Sequence, residues 1–311
     1  MTAHGPAVWL GFTVLVIALL VIDLGVLNRR GHVLSMKEAG GWSAGLVALA
    51  LAFGGYLWWR EGGTHALEYL TGYLIELSLS VDNLFVFILI FQYFAVPPIA
   101  QPKVLKWGIL GAIVLRGIMI ALGALLLARF HWIIYVFGGI LVFTGLRMLL
   151  SSGEEIHPER NPVLRLARKL LPINTGYNGD RFTCRNVQGK LYFTPLILVI
   201  LMVEWSDLVF AIDSIPAIFA VTRDPFLVYS SNVFAILGLR ALYFVLAGAM
   251  DRFHFLKAGI SAILIFIGIK MAVSGWVKVP TLAALAVIVG VLGTAVVASL
   301  LKPRPAPAAA D

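Results

Sequence analysis

Hydrophobic positions along this chain fall into long unbroken runs, where soluble helices and strands would show one-sided or alternating patterns. About 20 apolar residues suffice to cross the hydrocarbon core of a bilayer as a helix. Runs at roughly 8–28, 41–59, 66–95, 104–128, 131–150, 191–221, 226–250, 254–274 and 279–301 therefore predict an all-α bundle of nine membrane spans. The first run has no Lys or Arg ahead of it and no small-residue cleavage site, so it reads as a retained span and not a signal peptide. The polar connections alternate in basic content. Arg29, Arg30 and Lys37 follow the first span, Arg60 alone the second, Lys103 and Lys106 the third, and Arg129 alone the fourth. A basic loop follows the fifth, Arg223 alone the sixth, Arg252 and Lys257 the seventh, Lys278 the eighth, and Lys302 and Arg304 the last. The richer connections are cytoplasmic by the positive-inside rule, which puts the N-terminus outside and the C-terminus in the cytoplasm.

Two of the runs are interrupted by acids. Glu76–Asn83 reads ELSLSVDN and Asp207–Ser214 reads DLVFAIDS. Each places an acidic residue, five intervening residues, a second Asp and a small amide or hydroxyl side chain inside an apolar segment. Carboxylates at membrane depth are expensive, and function is sought there first.

The segments that follow these stretches match one another. ILGAIVLRGIMIALG at Ile109–Gly123 aligns with VFAILGLRALYFVLAG at Val233–Gly248 and pairs Arg116 with Arg240. Arg129-Phe130-His131 pairs with Arg252-Phe253-His254, and Gly145-Leu146-Arg147-Met148 with Gly268-Ile269-Lys270-Met271. From Arg129 to Arg147 and from Arg252 to Lys270 the separation is the same 18 residues. Three spans per copy force the second copy into the membrane upside down, the arrangement of many secondary transporters, whose site lies near the midplane between the halves. The chain divides accordingly into an N-terminal two-helix segment (1–65), repeat 1 (66–150), a cytoplasmic loop (151–190), an inverted repeat 2 (191–274), and a last span with a Pro/Ala-rich tail (275–311). Pro216, three residues beyond Asp213, predicts a kink or break that would free backbone carbonyls as further oxygen ligands. A short amphipathic run at 163–171 predicts one surface helix in the loop, where a membrane-protein partner could also dock.

Composition agrees with the runs. With 60% hydrophobic and 13% charged residues and a mean hydropathy of +0.93, the chain lies far from the soluble average of about 25% charged. The net charge of +8 sits in short connections and forms no stripe for nucleic acid. A single cysteine, Cys184, permits no internal disulfide. HExxH, nucleophile-elbow and P-loop patterns are missing, so neither a zinc protease nor an ATP-driven pump has its machinery here, an aspartic intramembrane protease lacks its usual Gly-x-Gly-Asp context, and no organic cofactor is implied.

The ligand inventory points to a hard cation. On a helix Glu76, Ser80 and Asn83 share one face, with Asp82 about 120° away. Glu204, Asp207 and Ser214 make a similar face, with Asp213 offset. Oxygen donors without Cys or His suit Mg2+, Ca2+ or Mn2+ better than Zn2+ or Cu+. Five carboxylates (Glu76, Asp82, Glu204, Asp207, Asp213) face two intramembrane arginines, Arg116 and Arg240. The three remaining charges call for a divalent ion or protons, and protons replacing the metal would give metal/proton antiport. The rival reading has the acids pair with the arginines simply to hold the bundle together. Asp23, near the end of the first span, reads as a snorkelling or capping carboxylate, with a supporting role at the site as the alternative. Lys270, His131 and His254 read as interfacial, and Tyr56, Trp58, Trp59 and Trp107 as aromatic belts. Gly138-Gly139 reads as a close-packing point.

The runs GYLIELSLSVDNLFVF, VEWSDLVFAIDSIPAIFAVTRDPF, SNVFAILGLRALYFVLAG and GIKM resemble the TerC family of integral membrane proteins, its Alx branch in particular, over about residues 8 to 300. The resemblance implies a bacterial inner-membrane exporter with Mn2+ as its transported substrate, in a family named for tellurium resistance. It also carries metal-binding roles onto Glu76, Asp82, Asn83, Glu204, Asp207 and Asp213. Leu77 departs from the branch, which has Lys after the Glu. A membrane stress factor or metalation scaffold, which holds metal structurally or passes it on, is the alternative reading.

Overall fold

A computed structural model describes residues 4–26, 36–130, 132–150, 161–174, 176–185, 190–247, 255–277 and 279–301. It is helical almost throughout: α1 (Pro6–Val26), α2 (Met36–Glu61), α3 (Gly63–Tyr93), α4 (Gln101–Arg129), α5 (Ile133–Leu150), α6 (Pro162–Leu170), α7 (Leu196–Phe219), α8 (Pro225–Leu237), α9 (Leu239–Ala247), α10 (Leu256–Ala272) and α11 (Thr281–Leu301). A two-stranded antiparallel hairpin, β1 (Thr183–Arg185) with β2 (Leu191–Phe193), precedes α7.

Among the described residues six helices, α1 to α5 and α11, are long and apolar enough to cross a membrane, and α8 with α9 makes a seventh as a bent pair. The difference from nine has a physical cause in the two other expected spans. α7 is 24 residues long but carries Glu204, Asp207 and Asp213, and α10 has 17 residues. The run at 226–250 is not one straight helix, because it breaks at Gly238 and turns by 42°. The Gly238 amide bonds back to the Ala235 carbonyl at 3.2 Å, tightening the last turn of α8. At Pro216 the expected break does not occur. Proline costs the bond to the carbonyl four residues back, yet α7 runs through it and ends at Phe219, so little helix remains to be redirected.

α3 is the buried axis. Its 31 residues reach about 46 Å at 1.5 Å per residue, and α2, α7, α8, α9 and α11 pack around it. α4 lies against α7 and α8, and α5 against α10. This last pair is close because glycines face backbone. A Cβ on Gly268 would stand 2.7 Å from the Gly138 carbonyl oxygen, and one on Gly145 would stand 2.9 Å from that of Ser261. Gly138 and Ser261, like Gly145 and Gly268, are 123 residues apart in sequence, so the two contacts exchange when the two segments are exchanged.

α1 is fastened at both ends. His4 lies 3.4 Å from Glu61 and 3.1 Å from Asp224, the N-cap of α8. Asp23, buried, meets Arg240 of α9. In the loop, Asn161 caps α6 through the Val163 amide at 2.8 Å, and Leu164 and Ala167 are buried while Arg165, Leu166, Arg168 and Lys169 face out. Trp58, Trp59 and Trp107 are exposed, and Tyr56 is 42% exposed. His131, His254 and the 151–160 part of the loop lie outside the described residues.

Candidate functional site

The site forms where α3, α4, α7 and α8 meet around one guanidinium. Arg116 is among the largest fully buried side chains of the protein, and all three of its nitrogens are engaged. Nη2 donates to Asp207 Oδ1 at 2.7 Å, and Nε reaches Asp207 Oδ2 at 3.2 Å and Oδ1 at 3.3 Å. Nη1 donates to Glu76 Oε1 and lies 3.4 Å from Ser214 Oγ. Glu76 and Asp207, both fully buried, are the first acids of the two matched stretches, and α4 supplies the cation between them.

Two amides complete the cluster. Asn83 Nδ2 donates to Asp207 Oδ1 at 3.1 Å, and Asn232 Nδ2 donates to Glu76 Oε2 at 2.9 Å. Ser80 Oγ donates to Glu76 Oε1 at 3.3 Å. Each amide thus spends its NH2 group on a carboxylate. Each leaves its oxygen, Asn83 Oδ1 and Asn232 Oδ1, buried without a hydrogen-bond partner among the described residues. Glu204, one turn before Asp207 on α7, has Oε2 in the same condition. Its carboxyl lies against α4 at Gly111, where any Cβ would collide with it.

The six residues expected as metal ligands therefore divide. Glu76, Asn83 and Asp207 come together at Arg116, with Ser80 and Ser214 beside them. Glu204 stands a turn away against α4. Asp82 is half-buried, and Asp213 accepts a 2.9 Å hydrogen bond from Thr144 of α5. No group of three or more His, Cys, Asp or Glu side chains close enough to hold one ion occurs among the described residues, so any cation at Arg116 would need amide and hydroxyl oxygens as well. Arg240 is not at this cluster. It lies 3.6 Å from Asp23 Oδ2 and donates to the Asp23 carbonyl at 3.3 Å, on the new helix that starts beyond the break at Gly238. Asp23 is thus no snorkelling carboxylate and no neighbour of Glu76, but the buried partner of Arg240.

Sequence reasoning missed Asn232. Its signal was present, an amide in the apolar run 226–250, but it lies outside both acidic stretches, and the position that aligns with it in sequence, Gly108, bears no side chain.

The chain matches the model of the integral membrane protein TerC family over residues 61–306. It is 53% identical over 303 residues to "Uncharacterized membrane protein STKORF319" of Myxococcus xanthus, covering 97% of this chain and 94% of the relative. It is 48% identical over 300 residues to "Putative membrane-bound redox modulator Alx" of Escherichia coli K12, covering 94% of this chain and 93% of the relative. A protein of the same name in Salmonella typhi is 49% identical over 300 residues, with the same shares covered. No solved structure matches the chain. Glu76, Asn83, Arg116, Asp207 and Asn232 all fall inside the family's matched segment, whereas Asp23 precedes it. With the match covering most of its length, this chain belongs to the TerC family of integral membrane proteins.

Proposed function

We propose that this protein is a secondary transporter that exports a hard divalent cation, Mn2+ first among the candidates, across a bacterial inner membrane. In this reading the N-terminus is outside and the C-terminus in the cytoplasm. Glu76, Asp207, Asn83 and Asn232 are the ion's ligands, Glu204 is a further carboxylate near them, and Asp82 and Asp213 lie on the ion's way in or out. One observation carries the reading: two amide oxygens are buried without a partner among the described residues, in a cluster that already has more negative than positive charge. A buried acceptor left unpaired costs about 1–3 kcal/mol. A cation answers several such acceptors at once. Carboxylate, amide and hydroxyl oxygens are the donor set of Mn2+, Mg2+ and Ca2+.

The packing supports the inverted repeat that such a transporter needs. α3 and α7 bring the two acidic stretches to one cation, and the glycine contacts between α5 and α10 exchange on swapping the halves. Protons that replace the metal on these carboxylates would couple export to the proton gradient. In the rival reading the protein is a stress or metalation scaffold. The name carried by the Alx relatives, membrane-bound redox modulator, favours a role in redox balance. With one cysteine the chain has no internal dithiol, so such a role would run through a metal or a partner, for which the 151–190 loop is the available surface.

Intracellular metal content in an exporter-deficient bacterium tests the proposal. Wild-type protein is expected to lower cell manganese and Glu76→Gln or Asp207→Asn to leave it high, with a parallel panel for Ca2+ and Mg2+. Unchanged metal content with wild type would sink the transport reading. Proteoliposomes test the coupling, where export indifferent to a pH gradient would remove the antiport step.

A further inference from the structure

The guanidinium of Arg116 stands where a transported cation would have to bind. Its Nε and Nη2 hold both oxygens of Asp207, and Nη1 holds Glu76. No other cationic side chain touches these two carboxylates among the described residues. A divalent ion that took Asp207 Oδ1 and Glu76 Oε1 as ligands would sit against the guanidinium at a few ångströms, inside a fully buried site. Like charges at that distance and in low dielectric repel strongly, so ion and guanidinium exclude one another.

We propose that Arg116 is a tethered competitor of the transported cation, which neutralises the two carboxylates when no metal is bound and thereby sets the metal concentration at which export begins. The proposal rests on the reading of this cluster as the cation site. Without Arg116, Glu76 and Asp207 would leave two buried negative charges to be met by protons or metal. With it, one remains. The metal then pays for displacing a well-made ion pair, and its affinity is held down. A weak affinity suits an exporter, which should act on an excess and spare the metal the cell uses. The amide oxygens of Asn83 and Asn232 are not engaged by Arg116 and stay available as the ion's first contacts.

The test is Mn2+ binding to full-length purified protein, read as loss of the free-ion signal in electron paramagnetic resonance. Arg116→Gln is expected to bind at least tenfold tighter than wild type, and Arg116→Lys, which keeps the charge but cannot fork between two carboxylates, by an intermediate factor. Equal or weaker binding by Arg116→Gln in folded protein would overturn the proposal and make Arg116 a structural cross-link. Should Arg116→Gln fold only when Mn2+ is supplied during purification, that dependence supports the competition. Should it fail to fold either way, Arg116→Lys decides, and binding no tighter than wild type overturns the proposal. Wild-type binding, abolished by Glu76→Gln, separates this inference from the function it rests on. If wild type binds no Mn2+ at millimolar concentration, the site assignment falls first.

Discussion

Arg116 and Arg240 occupy matching positions in the two halves of the sequence, and the fold gives them opposite surroundings. Arg240 meets a carboxylate, Asp23, and a backbone carbonyl, so charge is balanced, and its own Nε is a donor left without a partner among the described residues. Arg116 meets two carboxylates and a hydroxyl, with three further oxygens nearby that have no partner among the described residues. An excess of acceptors invites a cation, and an excess of donors does not. A buried pair of opposite, balanced charges is a fastening, whereas a buried cluster with surplus oxygen is a place for a ligand. The two arginines are thus told apart by the sign of what is missing and not by their sequence context.

The hardest test of this contrast is to remove a carboxylate from each side. Asp207→Asn is expected to reduce manganese export to the vector-only background while the protein is still found in the membrane. Asp23→Asn strips Arg240 of the one counter-charge it meets among the described residues, and breaking a buried pair from one side costs about 3–5 kcal/mol. A clear fall in thermal unfolding temperature is expected, with export per folded molecule unchanged below that temperature. Loss of export in Asp23→Asn at full stability would mean that the second arginine also serves the transported ion.

Much of this arrangement is legible in the chain and some is not, for reasons of geometry. The acidic stretches announce themselves because charge in an apolar run has few structural explanations, and helical spacing correctly put Glu76, Ser80 and Asn83 on one face. Arg116 was visible for the same reason. Its matching residue misled, since sequence equivalence does not fix which neighbour a side chain meets once one copy is broken at Gly238 and an extra helix, α1, lies beside it. Asn232 escaped because an isolated amide in a hydrophobic helix is common and only its 2.9 Å bond to Glu76 gives it a role. The division of the five carboxylates could not be read either, since it depends on which helix faces each turn of α3 and α7.

Glu204 offers a gentler way to sharpen the comparison, because its carboxyl is placed by the lack of a side chain at Gly111. Gly111→Ala drives a methyl into that carboxyl. That carboxyl is the far end of a flexible side chain and can swing aside at small cost in stability, so the displaced carboxylate is expected to lower export several-fold at equal membrane abundance. Gly139→Ala, where nothing lies within 4 Å of the added carbon, is the matched control and should be silent in both export and unfolding temperature. Equal export by the two variants would show that Glu204 contributes nothing to the ion's path.

The finest distinction lies between two buried polar side chains of α8, two residues apart. Ser230 donates to the Leu227 carbonyl of its own helix, and nothing in the cluster depends on it. Asn232 holds Glu76 with its nitrogen and keeps its oxygen unpaired. If that oxygen is a ligand, Asn232→Ala removes both a metal contact and the group that orients Glu76. The loss of groups that orient a metal ligand weakens metal binding by about 10–100-fold, and the lower end is expected here because Ser80 still donates to the other Glu76 oxygen. Ser230→Ala should leave Mn2+ affinity where it is. Were the amide merely a hydrogen-bond donor to Glu76, Asn232→Ser would recover wild-type affinity wherever its hydroxyl reached the carboxylate. A ligand role predicts that Asn232→Asp, which keeps the oxygen and adds charge, binds Mn2+ more tightly than the alanine variant, and equal affinities for the two would remove Asn232 from the ligand set.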